Sequence, residues 1–279
     1  MRTSPPPGPD GLIEQRWADY SAIEHATWRT LFERQTRLLQ GRACDAFLDG
    51  LARLPLSAEH IPDFAQLNRV LRPRTGWEVV AVPGLVSDEV FFAHLAARRF
   101  PAGHFIREPH QLDYLEAPDV FHDVFGHLPM LMHPVMADFI QAYGEGGLRA
   151  QRLGCLPMLA RVYWYTVEFG LVQQADGLRL FGAGIASSAT ETVYCLDDPA
   201  PHRLRFELPR VLRTRYRIDD VQAAYFVLND LDELLALAHT DFAPFYAAAQ
   251  TQPELAPGEL LPTDTVLHRG HVRRNALAI

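Results

Sequence analysis

The sequence predicts a mainly α domain with a few short β-strands. Three observations carry this. Apolar residues recur at helical spacing through most of the chain, several of these runs open on capping residues, and the β-type runs are only a few residues long. Residues 1–10, with four prolines and a glycine, cannot form a packed element and read as a flexible arm. Ser21-Ala22-Ile23-Glu24 has the form of a capping box and opens a helix whose apolar side runs through Trp28, Leu31, Phe32, Leu38 and Leu39. Phe47, Leu48, Leu51 and Leu54 continue the helical pattern, and Pro62 opens a further helix through Phe64, Leu67 and Leu71.

Residues 76–82 form the first strand-like run, closed by the Pro83-Gly84 turn, and Ser87 caps a helix carrying Val90, Phe91, Leu95 and Ala96. Residues 103–106 read as a second strand delivering Arg107 to a loop. Residues 136–143 read as a helix, the glycines of 144–147 as a hinge or turn, and residues 158–174 as a long central helix. A strand at 179–181 leads to Gly182-Ala183-Gly184, where small residues permit close backbone approach. Residues 224–228 are strand-like and 230–238 form a capped helix. The segment 251–279 reads as a polar tail, its His268 and His271 surface residues.

A chain of 279 residues, 48% hydrophobic, suffices for one large domain, placed at 11–250 between arm and tail. A formal charge of −8 without a basic stripe argues against nucleic acid. The three cysteines, Cys44, Cys155 and Cys195, are odd in number and widely spaced, which points to a reducing compartment and the cytoplasm. The N-terminus lacks the apolar run of a secretory signal, and no window approaches eighteen uninterrupted apolar residues.

The chemistry concentrates at 118–129, Pro-Asp-Val-Phe-His-Asp-Val-Phe-Gly-His-Leu-Pro. On an unbroken α-helix His122 and His127 would point roughly 140° apart, too far to share an ion. Gly126 and Pro129 suggest that the helix ends near His127 and lets it swing back. Glu168, among bulky apolar residues, is the best third donor, because a buried carboxylate needs a compensating charge. Two histidines and one carboxylate are the donor set of non-haem Fe(II) oxygen-activating enzymes. The residues by themselves also fit a hydrogen-bonded histidine pair in the core, with Glu168 paired to Arg161 two turns upstream. The helical zinc-hydrolase motif does not fit, since it sets its histidines four apart with a glutamate between.

Three blocks carry a resemblance: His-Asp-Val-Phe-Gly-His-Leu-Pro (122–129), Val-Tyr-Trp-Tyr-Thr-Val-Glu-Phe-Gly-Leu (162–171) and Phe-Gly-Ala-Gly-Ile-Ala-Ser-Ser-Ala-Thr-Glu (181–191). Together they resemble the pterin-dependent aromatic amino acid hydroxylases, in particular the compact bacterial phenylalanine-hydroxylating members, from about residue 61 to about 246. The resemblance implies the catalytic-domain fold of that family over 11–250, with Fe(II) held by His122, His127 and Glu168. It implies that Arg107 grips the amino acid carboxylate, that Pro118, Trp164 and Phe169 enclose the substrate ring with a face of His122, and that Ser187 helps hold the substrate and a ligating histidine. Gly84, Leu85, Val86 and Ser87 with Phe91 would cradle tetrahydrobiopterin or a related tetrahydropterin. Tyr163 and Asp123 stand near it, Asp123 where many relatives carry glutamate. The implied reaction is conversion of L-phenylalanine to L-tyrosine with O2 in a monomeric enzyme. Tryptophan hydroxylation and meta-hydroxylation of phenylalanine are the alternatives within the family, and a non-catalytic helical binding protein is the alternative outside it.

Overall fold

The computed structural model describes residues 7–113 and 117–271. Residues 1–6 of the expected arm and 272–279 of the expected tail lie outside that set. Helices dominate: α1 (Ala22–Leu38), α2 (Asp45–Arg53), α3 (Phe64–Thr75), α4 (Asp88–Ala96), α5 (Leu128–Leu131), α6 (Pro134–Arg152), α7 (Leu156–Tyr163), α8 (Ala183–Ala186), α9 (Ala189–Asp197), α10 (Leu208–Arg213), α11 (Asp232–Ala238) and α12 (Ala243–Gln250). Strands β1 (Glu78–Val82) and β2 (Arg99–Gly103) pair in parallel. A second sheet has the order β4-β3-β6-β5-β7, from β3 (Leu171–Gln174), β4 (Gly177–Leu180), β5 (His202–Arg205), β6 (Ala224–Leu228) and β7 (Val266–His268).

The Ser21 capping box forms, its side chain accepting from the Glu24 amide while Glu24 accepts from the Ser21 amide at 2.7 Å. Ser87 likewise caps α4. The third helix starts later than expected, at Phe64, because the Asp63 carboxylate accepts from the Ala65 amide at 2.8 Å and leaves Pro62 ahead of the cap. The second strand is displaced to Arg99–Gly103. Pro101, which argues against a strand in sequence, is accommodated because this sheet has only two strands and β2 is an edge.

The glycines of 144–147 do not form a hinge. They lie inside α6, where a Cβ on Gly144 would stand 2.4 Å from the Ala96 amide and one on Gly147 would stand 2.0 Å from the Phe92 ring. Gly144 lets α6 approach the backbone of α4, and Gly147 makes room for the Phe92 ring. The long helix expected over 158–174 ends at Glu168, since the chain reverses at Gly170, whose carbonyl accepts from the amides of Phe181 and Gly182. The C-terminal stretch is folded through residue 271. It supplies edge strand β7, and Asp264 accepts from the buried Arg210 guanidinium at 2.8 Å. Residues 8–10 of the arm are tied down as well, with His94 Nε2 2.9 Å from the Asp10 carbonyl.

Two short π-helical segments interrupt the α-helices, at Phe121–His127 and Trp164–Glu168. Phe121, Val124, Phe125 and Leu128 are fully buried. Phe121 and Phe125 stack on each other at 4.8 Å and meet Trp28 and Phe32 of α1 edge-on. Burying each such ring stabilises the fold by about 2 kcal/mol, enough to hold an irregular turn in place. The second segment is pinned by Tyr165, whose ring meets Phe226 of β6 and whose hydroxyl donates to the Arg215 carbonyl at 2.7 Å.

Candidate active site

The first π-helical segment solves the spacing problem. Its hydrogen bonds run from residue i to i+5, so residues five apart fall above one another rather than on divergent faces. His122 and His127 thus bring their Nε2 atoms to 3.2 Å. The second segment carries Glu168 to the same point, with Oε1 3.2 Å from His127 Nε2 and Oε2 3.6 Å from His122 Nε2. Arg161 does not pair with Glu168. It donates to the Leu212 carbonyl at 2.7 Å and pairs with Glu254.

The tautomer of His122 follows from its neighbour. The one Ser187 hydroxyl proton goes to the Ala183 carbonyl at 2.8 Å, so Ser187 Oγ accepts from His122 Nδ1–H at 2.9 Å. His122 Nε2 is then a bare lone pair. Burial pushes the His122 imidazolium pKa down to about 4, which keeps the ring neutral. Burial pushes the Glu168 carboxyl up, but the two imidazoles it faces, His127 and His122, together with hydrogen bonds from His127 and the Gly184 amide, outweigh it, leaving it below the usual value. Gly184 is needed for that approach, because a Cβ there would stand 2.9 Å from Phe169 and 3.1 Å from Glu168 Oε2.

Three donors this close fit a metal ion. Ligand atoms about 2.1 Å from an ion and roughly at right angles stand about 3 Å apart. Without a cation, the bare nitrogen of His122 would face a carboxylate with nothing between them. His122, Asp123 and His127 also place ligand atoms within 4.8 Å of one another. Glu168 is the better third donor: it sits against both Nε2 atoms, whereas Asp123 Oδ2 already accepts from the Gly103 amide at 2.7 Å. Burial pushes the Asp123 carboxyl up to about 7. Side-chain exposures of 3% for His127, 13% for Glu168 and 18% for His122 show that the site reaches solvent.

The aromatic residues singled out in sequence group around this point. Tyr163 stacks toward His127 at 6.3 Å between centroids, and Phe91 meets Tyr163 edge-on at 6.2 Å. Phe91 follows the loop Gly84-Leu85-Val86-Ser87, where Leu85 is exposed and the space beside Gly84 is open. On another side Trp164 packs against Phe169 at 4.6 Å. Pro118 is half-buried immediately before the His122 turn.

Arg107 is held by a residue the sequence reading passed over. Asp119, fully buried, accepts from Arg107 Nε at 2.8 Å and from Nη2 at 2.9 Å, and its Oδ1 also accepts from the His122 amide at 3.0 Å. One carboxylate thereby ties the arginine to the first π-helical turn. Its position just ahead of a helical run is the sequence signal that marks such an anchor. Gln222 and Tyr216 were also missed, and both touch Trp164 from a loop some fifty residues downstream.

A family model described as biopterin-dependent aromatic amino acid hydroxylase matches residues 15–244. The chain is 56% identical over 272 residues to a phenylalanine-4-hydroxylase of Caulobacter vibrioides, covering 97% of this chain and 92% of that protein. It is 55% identical over 261 residues to the phenylalanine-4-hydroxylase of Chromobacterium violaceum, covering 94% and 88% respectively. The iron- and phenylalanine-bound crystal structure of the Chromobacterium violaceum phenylalanine hydroxylase matches with a TM-score of 0.89 at 52% identity, covering 93% of this chain and 94% of that one.

Proposed function

Because the chain belongs to the biopterin-dependent aromatic amino acid hydroxylases, we propose a residue-level account of its activity, the hydroxylation of L-phenylalanine to L-tyrosine with O2 and a tetrahydropterin at a non-haem Fe(II) centre. The observation that carries it is the convergence of His122, His127 and Glu168 to within 3.2–3.6 Å beside the Trp164–Phe169 pair.

His122, His127 and Glu168 would hold the Fe(II), a donor set that suits oxygen-activating iron. Iron and pterin, when bound, supply the oxygen-activating redox chemistry, with two electrons from the pterin. The side chains position and exclude water. Ser187 fixes the His122 tautomer through Nδ1. Arg107, its Nε and Nη2 anchored on Asp119, presents its remaining N–H groups to the amino acid carboxylate, a planar donor for a planar acceptor. Pro118, Trp164, Phe169 and a face of His122 enclose the phenyl ring. Gly84, Leu85, Val86 and Ser87, through their backbone, would hold the pterin together with Phe91, Tyr163 and Asp123. Residues 11–250 form the catalytic unit, to which the strand of the C-terminal stretch is added.

The enzyme works as a cytoplasmic monomer, a reading supported by the net charge of −8 and by three buried, unpaired cysteines. No helix among the described residues is long and apolar enough to cross a membrane.

The test is to incubate iron(II)-loaded protein with a tetrahydropterin, O2 and equimolar phenylalanine and tryptophan, and to separate the products against para- and meta-tyrosine. Para-tyrosine that requires both iron and pterin is the expected outcome. Meta-tyrosine or hydroxytryptophan would overturn the substrate pocket drawn here, and absence of product would overturn the activity.

A further inference from the structure

Trp164 has a single N–H donor, and a half-buried indole needs a partner for it. That partner is Gln222, whose Oε1 accepts from Trp164 Nε1 at 2.9 Å. Gln222 is itself buried, on the loop 214–223 between α10 and β6. Its Nε2 donates to the carbonyls of Arg217 at 3.2 Å and Asp220 at 3.3 Å. This fixes the amide orientation, because turning it over would set its oxygen against two carbonyls and its NH2 against an indole N–H. Its backbone amide donates to Glu191 Oε1 at 3.1 Å, which secures the end of the loop. From the same loop Tyr216 stacks on the indole at 4.2 Å with 13° between planes, while Phe169 covers the indole at 4.6 Å.

The indole is thus held by two rings and oriented about its long axis by one hydrogen bond. We propose that Gln222 is a positioning residue for the aromatic substrate, setting the orientation of Trp164 and with it the space above the histidine–glutamate site that admits a phenyl ring in preference to an indole. The proposal rests on the reading of Trp164 as a wall of the substrate pocket. Gln222 does not touch substrate. It acts through Trp164, and the loop carries no other side-chain hydrogen bond to that indole.

The experiment is a double-mutant cycle in iron-loaded, full-length protein, with Gln222→Met and Gln222→Glu each made in the parent and in Trp164→Phe. Gln222→Met is expected to raise the KM for phenylalanine about tenfold, the effect of one lost hydrogen bond, with kcat within about twofold. It is also expected to lower the preference for phenylalanine over tryptophan about fivefold. Gln222→Glu keeps an acceptor oxygen for the indole but sets its other oxygen against the Arg217 and Asp220 carbonyls, so its loss is expected to fall between the parent and Gln222→Met. In the Trp164→Phe background, where there is no indole N–H to orient, Gln222→Met changes neither KM nor preference. An equal loss in both backgrounds, or no loss in either, overturns the proposal. An unchanged KM in Trp164→Phe alone removes Trp164 from the pocket and overturns the premise instead. A readout that leaves Gln222 unaltered is the Nε1–H resonance of Trp164 in 15N-labelled protein, assigned by its disappearance in Trp164→Phe. Exchange at least about 100-fold slower than for a free indole is expected, and exchange at the unprotected rate overturns the proposal.

Discussion

The Nε2 atoms of His122 and His127 stand 3.2 Å apart because the segment joining them is a π-helical turn, which brings residues five apart onto one face. Glu168 is delivered to the same point by a second π-helical segment. Both segments are held by aromatic residues on their far faces, so the geometry of the donors is set by the packing behind them.

Glu168→Gln keeps the shape but removes the charge between the two Nε2 atoms. Iron retained after desalting, measured by plasma emission, is expected to fall to about a tenth or less. Turnover is expected to fall more than about 100-fold, beyond the range for residues behind the ligands. Normal iron content and turnover would exclude Glu168 as a ligand.

Ser187→Ala removes the acceptor that fixes His122 Nδ1–H. The iron dissociation constant, measured by competition with a chelator, is expected to rise about 10- to 100-fold. The far-ultraviolet circular dichroism should stay unchanged, which separates a loosened ligand from a lost fold.

Glu191 gives the stability a pH dependence. Burial pushes its carboxyl up to about 7 from an ordinary 4.5, even though the Tyr225 hydroxyl and the Gln222 amide donate to it. Between those two values the folded state keeps a proton that the unfolded chain has released. Stability therefore falls as pH rises from about 4.5 to about 7 and is level above, by an amount on the order of 3 kcal/mol. Urea titrations across this range should show a shallower slope for Glu191→Gln, and an unchanged slope would assign the dependence elsewhere.

The glycines of α6 separate by neighbourhood. Gly144→Ala is expected to destabilise by about 2 kcal/mol or more, because its Cβ would meet the α4 backbone. Gly146→Ala, with nothing within 4 Å of its Cβ, is expected to stabilise by about 0.5–1 kcal/mol through helix propensity. Denaturant midpoints would check both signs.

By itself the sequence determined the predominance of helix, the Ser21 and Ser87 caps, strands near 78–82 and 224–228, and the three blocks that carry the family resemblance, two of which contain His122, His127 and Glu168. These are local signals, since a cap or an apolar period is written in adjacent residues. The tertiary structure alone decided where α3 starts, that the glycines of 144–147 sit inside a helix, that β2 contains Pro101 and that the C-terminal stretch adds β7. It also decided that two π-helical segments, rather than a broken helix, align the histidines and the glutamate. A π-turn has no composition of its own and is held by the rings that Phe121, Phe125 and Tyr165 bury elsewhere. Asp119 behind Arg107 and Gln222 behind Trp164 belong to the same class, because a hydrogen bond across twelve or fifty-eight residues exists only once the chain is folded.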